Sequence, residues 1–388
     1  MHESPTEPST PSHIAASSPR FYRPELDWLR FLAFSAVFWF HVCPDIIESY
    51  WALGLPESIV HFLMPIVRVG GHGVDLFFTL SAFLITELLL LERGRTGRVH
   101  VKAFYIRRIL RIWPLYFAFI LVACPFDVIY GGTPIMYYAS LATFTANWYQ
   151  VSFGLLFSIS SPLWSVSIEE QFYLVWPNLM ARLKPRRFAA LLAFLLVFTC
   201  IYRIYYVYGN PPTRYSVWYN TFTRLDCFAI GGLLACVLHG RNLVLPRAIR
   251  ILVFIVAAAC FWRVGASPAG GYFDTSPAWT YLLAAFASAL FILGAVAAPP
   301  REALSMPLNL LSYLGKISYG LYVYHFAGGL AAAYLIPEGV SPDEWLWVCR
   351  AIAAGFVTIG LSMVSYEVLE KPFLKMKGRF AFVASRPE

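Results

Sequence analysis

The chain has 388 residues, with 30 Lys and Arg against 22 Asp and Glu, a formal net charge of +8 and a mean hydropathy of +0.60. Hydrophobic residues make up 59% and charged residues only 13%, far outside the composition of a soluble globular domain. Apolar runs of about 17 to 25 residues recur from the first hundred residues to the last, the length a helix needs to cross a bilayer core. The runs are continuous, whereas a membrane β-barrel needs alternation.

In chain order, residues 1–21 are rich in Ser, Pro and Thr and read as a disordered cytoplasmic tail, without the short apolar region and cleavage site of a signal peptide. Membrane spans are predicted at 28–43, 74–91, 112–130, 165–181, 188–208, 224–239, 249–265, 279–297, 310–335 and 347–368. The expected fold is therefore all-α, a polytopic integral membrane bundle of about ten transmembrane helices occupying residues 22–373, with a basic cytoplasmic tail at 374–388. No appended soluble domain and no internal repeat is expected. Ten crossings put both termini on one side. Of the 30 Lys and Arg, 24 fall in segments on that side, so the charge marks topology rather than nucleic-acid binding, and both termini are expected in the cytoplasm. The seven cysteines are scattered through apolar segments with no CxxC and no zinc-type histidine spacing, so they read as packing residues and no metal site is expected.

The first span, ELDWLRFLAFSAVFWFHV at 25–42, carries Asp27, Arg30 and His41. Eleven residues at about 100° each complete three turns with roughly 20° left over, so Arg30 and His41 share a face, about 16 Å apart along the axis. Asp27, three residues before Arg30, is placed to pair with it. Snorkelling of Arg30 and an interfacial His41 would be the ordinary account. The shared face instead favours a polar path inside the bundle, because ionisable groups within a membrane usually face a cavity.

Between spans two and three the chain reads ERGRTGRVHVKAFYIRRILRIWPLYF. Arg108 and Arg111 stand at i and i+3 on one side of the coming helix, with Arg107 adjacent. Such a pair suits a bidentate grip on phosphate; the competing reading is a positively charged flank and nothing more. Span four opens with SPLWSVSIEEQFYLVWP, where Ser167 and Glu170 have capping-box spacing, although one cap does not account for both Glu169 and Glu170. Arg224 and Asp226 begin span six, with Asp226 expected as its N-terminal cap. His325, flanked by tyrosines about midway through span nine, reads as a hydrogen-bonded core residue.

Taken together these motifs resemble the membrane-bound acyltransferase family 3, which contains O-antigen and other cell-surface carbohydrate O-acetyltransferases, from about residue 22 to 373. The resemblance is carried by Leu26, Asp27, Leu29 and Arg30 with His41 beyond, GVDLFFTLSAFLI at 73–85, RRILRIWP at 107–114, Asn147 and Trp148, WSVSIEEQFYLVWP at 164–177, Arg224 to Asp226, ISYGLYVYH at 317–325 and EKP at 370–372. It departs at Trp28 and Ala82, where the family usually has Gly, and at Val166, where it has Leu; Ala82 is expected to loosen a close helix approach slightly.

The resemblance implies a bacterial inner-membrane enzyme transferring an acyl group, generally acetyl, from acyl-CoA to a hydroxyl of a carbohydrate, glycolipid or glycosylated natural product. It needs no metal. His41, Arg30 and Glu169 are the candidate catalytic residues, with His41 as base and Glu169 orienting it or binding the acceptor. Arg107, Arg108 and Arg111 are the candidate coenzyme A site, and Asp27, Glu170, Trp164, Asn147, Arg224 and Asp226 are candidates for binding substrate. The competing class is a transporter or lipid flippase that uses Asp27, Arg30 and His41 as a substrate or proton path; no pair of Gly- or Pro-broken spans recurs to support it.

Overall fold

A computed structural model of the protein describes residues 23–209, 214–267, 276–298, 306–340 and 343–383. The expected N-terminal tail at 1–21 lies outside them, as do residues 384–388 of the expected C-terminal tail.

Among the described residues every regular element is helical. Within lipid this is what backbone chemistry requires, since a helix satisfies its own N–H and C=O groups. The chain begins with α1 (Glu25–Val42), the short α2 (Glu48–Trp51) and α3 (Glu57–Val69), which runs through a 3₁₀ turn at Gly70–His72 into α4 (Gly73–Thr96). Next come α5 (Val101–Tyr130), the short α6 (Ile135–Ala142) and α7 (Ala146–Phe153), α8 (Trp164–Arg182), α9 (Pro185–Gly209) and the short α10 (Arg214–Tyr219). The second half consists of α11 (Leu225–Leu238), α12 (Arg247–Gly265), α13 (Pro277–Val296), α14 (Met306–Lys316), α15 (Ser318–Leu335), α16 (Asp343–Ser365) and α17 (Lys371–Lys377).

Among the described residues seven helical stretches are long and apolar enough to cross a membrane: 57–96, 101–130, 185–209, 221–238, 247–265, 277–296 and 343–380. The three expected spans missing from that set are α1, α8 and the stretch 310–335, and these carry the candidate catalytic residues on α1 and α8 and the tyrosine-flanked His325. Two boundaries differ from the sequence reading. Residues 57–69 are helical and continuous with α4, where only 74–91 is predicted. The predicted span 310–335 is broken at Ile317, between α14 and α15. Gly315 and Lys316, ordinary helix-end residues, stand just before the break, and packing fixes it there: Ile317 is fully buried, and two residues earlier the backbone of Gly315 meets that of α1.

α4 lies at the centre, packed by α1, α8, α11 and α13, while α1 also touches α14 and α15. Two glycines set these distances. A β-carbon on Gly315 would lie 1.8 Å from the Asp27 carbonyl oxygen, so only glycine lets α14 close on the start of α1. A β-carbon on Gly231 would lie 2.2 Å from the Thr79 carbonyl oxygen and 3.0 Å from the Ala82 β-carbon. The close approach expected to loosen at Ala82 is thus kept by a glycine on the opposing helix. At one end of the bundle Arg23 and Val383, the two described chain ends, border the same cavity. Residues 371–380 pack against α5 there.

Gly231→Val should force α4 and α11 apart and cost about 1–3 kcal/mol, the usual penalty for overpacking. Equilibrium unfolding in mixed detergent micelles measures it; a stability equal to wild type would show that the crossing tolerates a side chain.

Candidate active site

Asp27 and Arg30 are joined as their spacing predicts: Arg30 Nη1 donates to Asp27 Oδ1 at 2.6 Å, with Asp27 buried. Beside them α5 presents Arg107, Arg108 and Arg111. All four arginines border a cavity of about 140 Å³ at the end of the bundle where Arg23 and Lys377 also lie. Among the described residues six cationic side chains face it against two carboxylates, Asp27 and Glu92, so its field favours an anion.

The three α5 arginines are not equivalent. Arg107 is committed to the fold, donating to Glu92 Oε2 at 2.8 Å and to the Phe380 carbonyl at 2.6 Å. Glu92 also accepts the His100 backbone N–H at 2.7 Å, tying the α4–α5 turn to the C-terminal segment. Arg108 lies over the rings of Phe104 and Tyr173, 5.4 and 5.2 Å from their centroids. Neither Arg108 nor Arg111 has an ion pair or a hydrogen bond among the described residues. Two guanidinium groups with unused donors on one wall form a site for an anion with several oxygens.

A second cavity of about 100 Å³ shares Arg30, Ser81, Arg108 and Arg111 with the first and continues inward to Ser165, Glu169, Tyr173 and Tyr322. The adjacent glutamates separate here. Glu169 faces the inner cavity, whereas Glu170 accepts from Trp113 Nε1 at 3.3 Å and stays outside it.

His41 lies at the opposite end of α1 from Arg30 and is exposed. Both face α15: Arg30 lines the inner cavity with Ser318, Tyr319 and Tyr322, and His41 Nδ1 lies 3.3 Å from His325 Nε2. The shared face read from the 11-residue spacing is therefore present. His41 itself borders neither of these cavities; Tyr322 and His325 stand between it and the inner one. Glu169 lines the inner cavity, which His41 does not border, and the polar side chain that meets the His41 ring is His325. No local signal could have paired them, since 284 residues separate the two.

Four of the candidate substrate residues form a buried layer that lines neither cavity. Asn147 Nδ2 donates to the Tyr219 carbonyl and to Thr221 Oγ1, at 3.1 and 3.0 Å. The Trp164 ring meets that of Tyr219 at 4.9 Å. Arg224 Nη1 donates to Asp75 Oδ1 at 2.6 Å while its guanidinium sits 4.3 Å from the Trp218 and Tyr281 ring centroids. Asp226 pairs with Arg203, and all four charged residues are completely buried.

Two capping expectations fail. Asp226 is the second residue of α11 and is engaged by Arg203; the cap nearby is Asn220, whose side chain accepts the Phe222 N–H at 2.9 Å and closes the 3₁₀ turn Thr221–Arg224. Ser167 and Glu170 form no capping box, because the 3₁₀ turn Ser161–Leu163 starts α8 at Trp164 and carries Ser167 inside the helix. Asp75 and Arg203 belong to no candidate site in the sequence; the signal that finds them is that lone charges in a membrane need partners of opposite sign, Arg224 for Asp75 and Asp226 for Arg203.

A family model described as an acyltransferase domain matches residues 23–367. The chain belongs to the acyltransferase 3 family. It is 30% identical over 384 residues to the peptidoglycan O-acetyltransferase OatA of Listeria monocytogenes, an alignment covering 92% of this chain and 56% of that protein. To the O-acetyltransferase OatA of Staphylococcus aureus it is 28% identical over 396 residues, covering 94% and 59% respectively. The chain thus spans a little over half the length of these curated relatives. No solved structure matches it.

Asp226→Ala should destabilise the fold by about 3–5 kcal/mol, because it leaves Arg203 buried without its counter-ion. Unfolding in mixed micelles provides the measurement, and a loss below about 1 kcal/mol would mean that water or another group satisfies Arg203.

Proposed function

We propose that this protein transfers an acetyl group from acetyl-CoA to a hydroxyl of a cell-envelope carbohydrate, with donor and acceptor reaching the bundle from opposite sides. The observation that carries the reading is the pair of guanidiniums with no ion pair or hydrogen bond among the described residues, Arg108 and Arg111, shared by two cavities that lead inward past Arg30 to Glu169. Coenzyme A is anionic at its nucleotide end and uncharged along its pantetheine arm. That polarity suits a cationic mouth followed by a channel whose far wall carries Tyr173 and Tyr322. The excess of Lys and Arg beside the chain ends supports a cytoplasmic mouth, the compartment in which coenzyme A is made. The acceptor class follows the Listeria relative, a peptidoglycan O-acetyltransferase.

In this reading Arg108 and Arg111 hold phosphate, Arg30 is fixed by Asp27 at the junction of the cavities, and Arg107 stiffens the mouth through Glu92 and Phe380. The neutral His41 imidazole takes the proton of the acceptor hydroxyl as its oxygen attacks the thioester carbonyl. The carbon–sulfur bond then breaks, and the departing thiolate takes up the proton. Because the inner cavity stops at Tyr322, the acyl end must pass that ring to meet His41. Glu169, the one carboxylate that borders the inner cavity among the described residues, steadies the acyl end by accepting hydrogen bonds from the pantetheine amides. The buried layer of Asn147, Trp164, Arg224 and Asp226 supports the acceptor side as a rigid wall.

Arg108→Ala and Arg111→Ala should each weaken coenzyme A binding about 10- to 100-fold, the worth of one charge-assisted contact, as read by calorimetry on purified protein. Dissociation constants equal to wild type would remove the pair from the donor site. In cells, His41→Ala should abolish the base-labile acetate that the protein adds to envelope glycans, and persistence of that acetate would exclude His41 as base.

A further inference from the structure

His325 is a core residue, 1% exposed, and its Nδ1 lies 2.6 Å from the Tyr322 backbone oxygen. That bond decides what the rest of the ring can do. A carbonyl oxygen only accepts, so Nδ1 carries the hydrogen, and in a neutral imidazole Nε2 is then a bare lone pair. This lone pair faces His41 Nδ1 at 3.3 Å. Two lone pairs would repel there, so His41 Nδ1 must in turn carry the hydrogen. The nitrogen of His41 left to accept a proton is Nε2, on the far side of its ring.

We propose that His325 is the positioning residue of the reaction: the chain from the Tyr322 carbonyl through His325 to His41 holds the hydrogen on His41 Nδ1 and keeps Nε2 open for the acceptor hydroxyl. The proposal rests on the reading of His41 as the base. Free histidine in water favours the opposite tautomer, with hydrogen on Nε2, and in that form His41 would present a donor where an acceptor is needed. The geometry is held from both sides, with Phe326 edge-on to His41 at 4.7 Å and to His325 at 4.9 Å, and Phe34 edge-on to His325 at 6.3 Å. A carboxylate would fix the tautomer equally well in water. Inside a bundle the carbonyl–imidazole pair does so without burying another charge. When His41 takes up the proton, its Nδ1–H bond to the His325 lone pair becomes charge-assisted, so the contact strengthens as the reaction proceeds. The same tyrosine reaches the inner cavity, its hydroxyl 2.7 Å from Ser165 Oγ, which couples the placement of His41 to the wall along which the donor would lie.

The test is nitrogen-15 NMR of histidine-labelled full-length protein in micelles, with the His41 signals identified by their loss in His41→Gln. At a pH where the rings are neutral, His41 should show a protonated Nδ1 and a bare Nε2. His325→Leu removes the acceptor and should move the hydrogen to Nε2, with envelope acetate falling about tenfold or more while coenzyme A binding is unchanged. His325→Gln, whose amide can donate to the Tyr322 carbonyl and accept from His41, should keep the wild-type tautomer and restore much of the acetate. A wild-type His41 with hydrogen on Nε2, or a tautomer indifferent to His325→Leu, overturns the proposal. If the leucine variant does not fold, the wild-type spectrum alone decides. Acetate that survives His41→Ala would instead overturn the base assignment, and the tautomer result would still stand.

Discussion

A charge in the bilayer core costs several kcal/mol unless it is paired or opens onto a cavity, and this bundle is arranged around the two ways of meeting that requirement. Arg203 with Asp226 and Arg224 with Asp75 meet it by pairing, in a layer with no exposure at all. Arg108 and Arg111 meet it by facing a cavity, with no ion pair among the described residues. The contrast identifies the site more sharply than any motif, because the charges of Arg203 and Arg224 are already met by carboxylates, whereas Arg108 and Arg111 still face open space with theirs. Arg107 shows the difference within a single helical turn, held by Glu92 and a backbone carbonyl while Arg108 lies on two aromatic rings.

The same constraint explains which helices line the path. α1, α8 and the α14–α15 stretch fall outside the seven stretches apolar enough to span a membrane, since each gives up apolar positions to Asp27, Arg30, Glu169, or the tyrosines and histidine of α15. Such helices need company. α1 is enclosed by α4, α13, α14, α15 and α16, and Gly315 brings the backbones of α14 and α1 close enough for packing to replace what hydropathy does not supply. The polar seam is thus held inside a shell of better spanning helices.

Much of this is legible in the chain before folding. Helical periodicity pairs Asp27 with Arg30, puts Arg30 and His41 on one face and groups Arg108 with Arg111, because these relations lie within one helix and follow from 3.6 residues per turn. The readings that fail depend on neighbours. The capping box at Ser167 is undone by a preceding 3₁₀ turn, Asp226 lies inside α11 and is engaged by Arg203 from another helix, and the break at Ile317 sits where Gly315 closes on α1. Local spacing has no term for any of these.

The sequence by itself determined that the chain is a helical membrane protein, where its charged residues fall along each helix, and the family to which its motifs point. Each of these is a property of composition or of one helix's periodicity. Only the tertiary structure decided that Glu169 and not Glu170 faces the cavity, that Arg107 is structural while Arg108 and Arg111 are open, and that the partner of His41 is His325. The physical reason is that a side chain's chemistry in lipid is set by what fills the few ångströms around it, and here those neighbours arrive from helices up to 284 residues away.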